Sequence, residues 1–344
     1  MADDRRVVGL IEGSGTAQSS CPKHMVYGPC GGVRDDGACE VDDRRCPFTE
    51  VPLVRWEGPT PARSRRDHVV AGAGPLIITD LRVRPYDRSS ITAVTARLSV
   101  DADAVLVGEH HGRPDFPPAM MATTVLDAGG RPWVTLSCRD RNRVVLEGEL
   151  EALATIGPAG VHCVTGDARA ASVRPDATQV FDLDSVRLTA LARRFDLTVS
   201  VAATPAAPPR ALRPERIVEK QRAGADVCFV NHAGGPDAVG RFVAAARALG
   251  ATLGFVPCVA VFTDVESLAV LQRFPGLVVD PAETRRVMAS PDARRAGIDA
   301  AVDQARRMLA IDGVIGVNLS GSATSGPELE SAAIMAEVAA RIRT

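Results

Sequence analysis

Residues 75–109, PLIITDLRVRPYDRSSITAVTARLSVDADAVLVGE, contain two short apolar runs separated by a longer amphipathic segment. The runs PLIITD and ADAVLVG are nearly continuous in apolar residues, which is typical of strands buried on both faces. In the segment SSITAVTARLSV between them, apolar residues recur every three or four positions, and this spacing predicts a helix. The stretch therefore predicts a strand–helix–strand unit.

The same alternation continues towards the end of the chain. Eight apolar, β-rich runs can be counted, separated by helical patterns such as DAVGRFVAAARALG and GIDAAVDQARRMLA. Eight such units in about 270 residues predict a (β/α)8 TIM barrel. A doubly wound sheet is the alternative, but no G-x-G-x-x-G motif opens the first helix. The predicted strands are residues 75–80, 102–108, 132–138, 160–166, 196–203, 225–231, 252–261 and 314–321.

A cluster of cysteines precedes this region. Residues 21–46, CPKHMVYGPCGGVRDDGACEVDDRRC, hold four cysteines with the spacing C-x8-C-x8-C-x6-C. Glycines supply the turns that let the thiols converge, and few apolar residues are present to build a core, so a metal is expected to supply the folding energy. Zn²⁺ is the expected metal, with a [4Fe-4S] cluster or unmetallated thiols as alternatives. The predicted ligands are Cys21, Cys30, Cys39 and Cys46.

The other four cysteines lie within apolar runs, where a thiol is most often a small buried hydrophobic group. They are Cys138, Cys163, Cys228 and Cys258.

Composition narrows the class of protein and its partners. The 344 residues are 46% hydrophobic and 24% charged, with a net charge of -2 and no apolar run long enough to span a membrane. No basic stripe is present, and two Trp and two Tyr leave little to stack on bases, so nucleic acid is not an expected partner. The N-terminal stretch lacks the features of a signal peptide, which predicts a cytoplasmic protein. We expect a metal-binding module at 1–48, a linker or strap at 49–72 and the barrel at 73–344.

Catalytic groups of a TIM barrel lie on the loops that follow the C-terminal ends of the strands. Three carboxylates, Asp80, Glu109 and Asp167, stand at or just after the ends of predicted strands. Any one of them could be a strand-end cap paired with Arg82, Arg113 or Arg139, but three at the same end of the barrel favour acid–base chemistry. Asp80 follows the apolar PLII, so burial should raise the pKa of its carboxyl group and suit it to general-acid work. His110 and His111 are neighbours on an extended segment, so chelation by both is not expected. The candidates are Asp80, Glu109, Arg139, Asp167, Thr204, Asn231 and Ser320.

The cysteine motif C-P-K-x-x-x-x-G-P-C-G-G, followed by C-E-V and a final cysteine, resembles the zinc-binding C-terminal-type domain associated with methylenetetrahydrofolate reductases. The barrel resembles the catalytic barrel of the same family. The matching points are Asp80, the pair Gly166-Asp167, the segment SVAATP at 200–205 and KQRAGAD at 220–226. In that family the module also occurs as a separate partner subunit.

The resemblance implies reduction of 5,10-methylenetetrahydrofolate to 5-methyltetrahydrofolate with NADH or NADPH. Opening the five-membered ring needs a proton at nitrogen, which a group placed like Asp80 could supply, while Asp167 could stabilise the developing cation. Glu109 is a further catalytic candidate. The implied substrate-binding residues are Glu109, Asn231, Arg139 and Ser320, and the implied cofactor-binding residues are Lys220, Gly166 and Thr204.

The sequence departs from the family at the expected flavin contacts, so FAD binding is expected to be altered or absent. Thr135, Thr165, Thr204 and Pro208 stand at those places, and HAGG at 232–235 replaces an aromatic run. Two alternatives to a reductase therefore stay open. One is a folate-dependent one-carbon transferase, and the other is a non-catalytic subunit that docks on a reductase or corrinoid partner protein.

Overall fold

The computed structural model describes residues 20–59, 74–109, 114–168, 174, 176–274 and 276–344. Eight parallel strands close into one barrel in chain order, with β8 pairing back on β1. This confirms the predicted TIM barrel, and every strand overlaps its predicted run. The strands are β1 (Leu76–Asp80), β2 (Ala104–Val107), β3 (Pro132–Ser137), β4 (Gly160–Val164), β5 (Val199–Ala203), β6 (Val227–Val230), β7 (Gly254–Phe262) and β8 (Gly316–Ala323).

Helices cover the outside of the barrel, and three of them lie in the connection between β7 and β8. Several begin at a side-chain cap; for example, Asn142 Oδ1 accepts a hydrogen bond from Val145 N at 3.0 Å. The helices are α1 (Arg88–Leu98), α2 (Pro118–Asp127), α3 (Arg143–Ile156), α4 (Ser185–Ala192), α5 (Arg213–Arg222), α6 (Pro236–Ala248), α7 (Val265–Gln272), α8 (Pro281–Met288), α9 (Ala293–Leu309) and α10 (Glu328–Arg343). None of the described helices is long and apolar enough to cross a membrane.

The interior of the barrel changes from apolar to polar along the strands. Near their N-terminal ends it is filled by Leu76, Ile78, Trp133 and Phe229. Further along, Trp133 Nε1 donates a hydrogen bond to Ser200 Oγ at 2.8 Å, and Ser200 Oγ lies 2.9 Å from His162 Nδ1. Burial, with a smaller contribution from the charge of Lys220, lowers the pKa of His162 to about 3. The imidazole is therefore neutral at pH 7.

The cysteine-rich module, residues 20–49, packs directly against the barrel. It has a small core of its own in which Met25, Val33 and Phe48 are almost fully buried beside Cys21 and Cys46. The sequence led us to expect that a metal would supply the folding energy of the module. The structure shows that apolar burial and contact with the barrel also contribute to that energy. The predicted buried state of the other four cysteines is confirmed.

Two glycines of the GPCGG motif allow close packing rather than only a tight turn. A Cβ atom on Gly31 would lie 2.6 Å from Thr204 Oγ1 of the barrel, and one on Gly32 would lie 2.2 Å from the carboxyl group of Glu40. A larger residue at either position would separate surfaces that now touch.

The described part of the predicted strap, residues 49–59, also runs along the barrel. Trp56 N donates to Glu219 Oε2 on α5 at 2.6 Å, and the Trp56 ring lies 5.4 Å from that of Tyr27. The predicted boundaries at 48 and 72 stay predictions, and residues 1–19, 60–73, His110 and His111 lie outside the described part of the chain.

Asp184 joins the module to the barrel, and its substitution should destabilise the protein. Its Oδ1 caps α4, and its Oδ2 accepts from Val26 N at 3.0 Å. Burial acts to raise the pKa of Asp184, but the charges of Arg187 and Arg216 and the N–H donors outweigh it and lower the pKa. We expect Asp184→Ala to reduce the free energy of unfolding by about 3 kcal/mol at pH 7 in urea denaturation.

The sign of the pH dependence follows from the lowered pKa. The Asp184 contribution is present in full above the unfolded-state pKa and is lost as the pH falls through the folded-state value, so the difference between wild type and Asp184→Ala should shrink in acid. The exposed neighbour Asp182, whose Oδ2 accepts from Arg143 N at 2.8 Å, provides a control. Asp182→Ala should cost less than about 1 kcal/mol; an equal cost for both variants would contradict the role assigned to Asp184.

Candidate functional site

A cavity of about 230 Å³ opens at the C-terminal ends of β2 to β6, underneath the cysteine-rich module. The module supplies one wall through Lys23, Pro29, Cys30, Gly31 and Glu40. The barrel supplies the rest. A second cavity of about 390 Å³ shares Glu109 and Arg139 with the first and extends along the ends of β2 and β3. The mouth of the barrel therefore offers two adjoining polar spaces.

Most of the residues selected from the sequence lie together in this first cavity. Asp80 and Ser320 do not line it, because Asp80 ends β1 and Ser320 lies within β8, away from the strands that form it. The catalytic and binding roles of all these residues stay predictions. The predicted residues that line the cavity are Glu109, Arg139, Gly166, Asp167, Thr204, Lys220 and Asn231.

Asp80 occupies a separate polar position inside the barrel. Its carboxyl group accepts hydrogen bonds from Asn318 Nδ2 at 2.8 Å and from Gly321 N at 3.1 Å, both neutral donors on or beside β8. Burial raises the pKa of Asp80, although these donors and Ser320 act in the opposite direction. A carboxyl group with a raised pKa can retain a proton for transfer, as the sequence led us to expect.

Glu109 is held by a different arginine from those considered in the sequence. Arg141 Nη1 lies 2.7 and 2.8 Å from the two carboxylate oxygens, and Ser137 N donates to Oε1 at 3.2 Å. Burial raises the pKa of Glu109, and the charge of Arg141 opposes that effect. A ligand that used Glu109 would have to share the carboxylate with Arg141.

The loop after β4 carries Gly166 and Asp167 into the cavity. Gly166 has a φ of +91°, and a Cβ atom there would lie 2.3 Å from Ser137 Oγ, so close packing on β3 requires glycine. Among the described residues, the group that approaches this glycine is Ser137. Arg139 is buried and donates from Nη1 to the backbone oxygen of Asp167 at 3.3 Å and from Nε to Asp140 at 2.9 Å.

Asn231 and Thr204 meet at the ends of β6 and β5. Asn231 Nδ2 donates to Thr204 Oγ1 at 3.3 Å, and Gly31 of the module packs against the same threonine. The amide of Asn231 lines the cavity, where a ring with N–H groups could use its carbonyl oxygen as an acceptor.

Helix α5 presents three buried cations to the cavity. Arg213, Arg216 and Lys220 follow one another at intervals of three and four, so they lie on one helix face. Lys220 Nζ donates to the backbone oxygen of Ala202 at 2.6 Å. Burial lowers the pKa of Lys220 to about 7, and the charge of Arg216 adds to the effect. Lys220 is therefore partly neutral at pH 7.

Sequence reasoning missed four charged residues of this cavity. Arg213 and Arg216 could have been found, because they occupy the face of an amphipathic helix that ought to be apolar. Lys23 and Glu40 belong to the CPK and CEV parts of the cysteine motif, which was interpreted only through its cysteines.

The four cysteines of the module lie near one another, and three of them are buried. Burial raises the pKa of Cys21, and the nearby thiols of Cys30 and Cys39 raise it further. Burial also raises the pKa of Cys46 to about 11. Thiols are a suitable donor set for zinc or an iron–sulfur cluster once deprotonated. Within the described ranges, however, no three His, Cys, Asp or Glu side chains stand in an arrangement that could already hold a metal ion.

The lowered pKa of Lys220 can be measured directly, because the chain contains only two lysines, Lys23 and Lys220. In protein labelled with ¹⁵N-lysine, we expect one side-chain signal to titrate near pH 7 and to disappear in Lys220→Met. Between about pH 7 and the ordinary value of 10.5, the folded state binds fewer protons than the unfolded state. The Lys220 contribution to the free energy of unfolding therefore rises with pH, and the stability of wild type relative to Lys220→Met should rise with it. Titration of this signal near pH 10 would contradict the prediction.

Comparison with known proteins gives a family match for the module and a structural match that covers most of the chain. Residues 11–55 match the protein family described as methylene-tetrahydrofolate reductase C terminal, a match that extends past the predicted module boundary into the strap. No curated protein matches the chain. A similar solved structure is that of an uncharacterized protein from Clostridium thermocellum that binds two copies of 5-methyl-5,6,7,8-tetrahydrofolic acid.

That structure has a TM-score of 0.54 and 14% sequence identity, and the match covers 79% of this chain and 97% of the other. At this identity the likeness shows a shared fold. The comparisons thus confirm the resemblance drawn from the cysteine motif: the chain carries a cysteine-rich domain of the methylenetetrahydrofolate reductase C-terminal type, followed by a TIM barrel.

Proposed function

We propose that the mouth of the barrel binds a reduced folate and that the protein is a methylenetetrahydrofolate reductase-like oxidoreductase. One observation carries the proposal: the domain of the reductase C-terminal type forms a wall of the polar cavity at the catalytic end of the barrel. The shared fold of a protein that binds 5-methyl-5,6,7,8-tetrahydrofolic acid supports it.

The dimensions and chemistry of the site are suitable for such a ligand. A reduced folate joins a flat pterin to a longer anionic tail, and the two adjoining cavities offer space for both parts. The N–H groups of a pterin need acceptors, which Asn231 and the carboxylates Glu109 and Asp167 provide. Arg139 and the α5 cations give the mouth positive charge for the anionic tail.

Two carboxyl groups are proposed to act in the reaction. Asp80, whose pKa is raised by burial, would deliver the proton that opens the five-membered ring, and Asp167 would stabilise the cation that forms. A nicotinamide cofactor, NADH or NADPH, would supply the hydride. Lys220, Gly166 and Thr204 are the residues proposed to hold the cofactor, and we propose that FAD is not bound in the conventional way.

We also propose that the four cysteines of the module bind Zn²⁺ in a structural role. Support comes from the reduced, mostly buried thiols, their proximity and the family match over residues 11–55. The present side-chain arrangement is not a finished ligand shell, so binding would require the thiols to deprotonate and close on the ion.

A partner reductase or corrinoid protein would have to use a free face of the module. The surface that carries Lys23 and Glu40 is already covered by the barrel of the same chain.

The reductase proposal is tested by adding 5,10-methylenetetrahydrofolate and NADH or NADPH to the purified protein and following nicotinamide oxidation and folate products. We expect 5-methyltetrahydrofolate to form. Asp80→Asn should slow turnover by about 10²-fold or more, because the amide cannot deliver the proton. Asp312→Asn, at a side chain that is 90% exposed, is the control and should leave the rate unchanged.

The possible outcomes separate the alternatives. Transfer of the one-carbon unit to an acceptor without nicotinamide oxidation would replace the reductase by a one-carbon transferase. If wild type neither binds reduced folates nor turns over, the proposal fails.

Metal content tests the proposed role of the cysteines. We expect about one zinc per chain in wild type and its loss in Cys30→Ser, with a fall in Tm of more than about 5 °C. Cys163→Ala, at a buried cysteine of the barrel, should keep the zinc. An unchanged Tm in Cys30→Ser would rule out a structural metal, and iron with a broad visible absorption would identify a cluster instead.

A further inference from the structure

The only two lysines of the chain both line the cavity. The sequence has 40 basic residues of the Lys and Arg types, and all but Lys23 and Lys220 are arginine. The positive charge elsewhere in the chain is therefore supplied by arginine. Lysine offers a compact ammonium group with three donors, whereas arginine offers a planar guanidinium. This distribution directs attention to Lys23, which belongs to the module rather than to the barrel.

Lys23 connects the module to the loop after β4. Its ammonium group donates to the Glu40 carboxylate and to the backbone oxygen of Gly166 at 2.7 Å. It also lies 5.4 Å from the ring centroid of Phe181. The side chain of Lys23 is 2% exposed and that of Glu40 is 7% exposed, so water does not screen the pair.

Glu40 is itself fixed by the cysteine cluster. Cys30 Sγ lies 3.5 Å from Glu40 Oε1, and the backbone of Gly32 passes against the carboxyl group. A continuous series of contacts thus runs from Cys30 through Glu40 and Lys23 to Gly166. On the far side, Arg139 holds the backbone oxygen of the next residue, Asp167.

We propose that Lys23 and Glu40 are positioning residues that set the orientation of Gly166 and Asp167 at the mouth of the barrel. Because each neutralises the other, neither is left to balance the charge of a ligand. Their effect on a ligand passes through the backbone of the β4 loop. The identity of that ligand, a reduced folate, rests on the proposed function.

The test uses the full chain with Lys23→Met and Glu40→Gln, both close in size to the natural side chains. Amide hydrogen exchange of residues 160–168 is measured without ligand, and the Kd for 5-methyltetrahydrofolate is measured by calorimetry. We expect exchange within residues 160–168 to accelerate about tenfold or more, and the Kd to rise about tenfold.

Arg210→Gln provides the matched control. It removes an exposed ion pair at 2.9 Å between Arg210 of the barrel and Asp35 of the module, away from the cavity. We expect neither exchange in residues 160–168 nor the Kd to change. Lys23→Arg keeps the charge and should retain more of the protection than Lys23→Met, which gives a second variant if the methionine protein fails to fold.

Unchanged exchange in both Lys23→Met and Glu40→Gln would overturn the inference. A second result would also overturn it: wild type binds the folate, and the two variants show faster exchange but the same Kd as wild type. The loop would then not position the ligand. If wild type does not bind the folate at all, the proposed function fails, while the exchange measurement still decides whether the pair holds the loop.

Discussion

Charged side chains that the barrel buries beneath the cysteine-rich module hold the main chain of that module in place. Asp184 accepts from Val26 N, and Arg213 Nη1 donates to the backbone oxygen of Cys30 at 2.8 Å. Leaving any of these groups buried without its partner would cost several kcal/mol, so module and barrel are bound to a single relative position. The wall that the module contributes to the cavity is fixed by the same contacts.

This arrangement explains why the cavity holds so much buried charge. Arg213 and Arg216 donate to backbone oxygens of the module, and Lys220 donates to one in β5. Carbonyl acceptors satisfy the donors but carry no full negative charge, and burial, together with the charge of Arg216, lowers the pKa of Lys220 to about 7. Helix α5 therefore serves two purposes, because it holds the module and makes the cavity electropositive.

The mouth of the barrel has two chemically different sides. On the side of β1 and β8, Asp80 is surrounded by neutral donors, and burial raises the pKa of its carboxyl group. On the side of β2 to β6, carboxylates are accompanied by cations, as in the contact of Glu109 with Arg141. The two sides differ because Asp80 is bonded to neutral donors, whereas Glu109 is paired with a cation.

The sequence by itself determined the eight strand–helix units, the cysteine cluster and the polar residues at the strand ends, because each of these is a local pattern of spacing. Only the tertiary structure decided which candidates share a cavity. Asp80 ends β1 and Asp167 follows β4, but their separation depends on the position of each strand around the closed barrel. Likewise, the motif that contains Lys23 and Glu40 shows its cysteines, but it does not show which surface its other side chains meet. The contact of Lys23 with Gly166 joins residues 143 positions apart, and packing of the module on the barrel creates it.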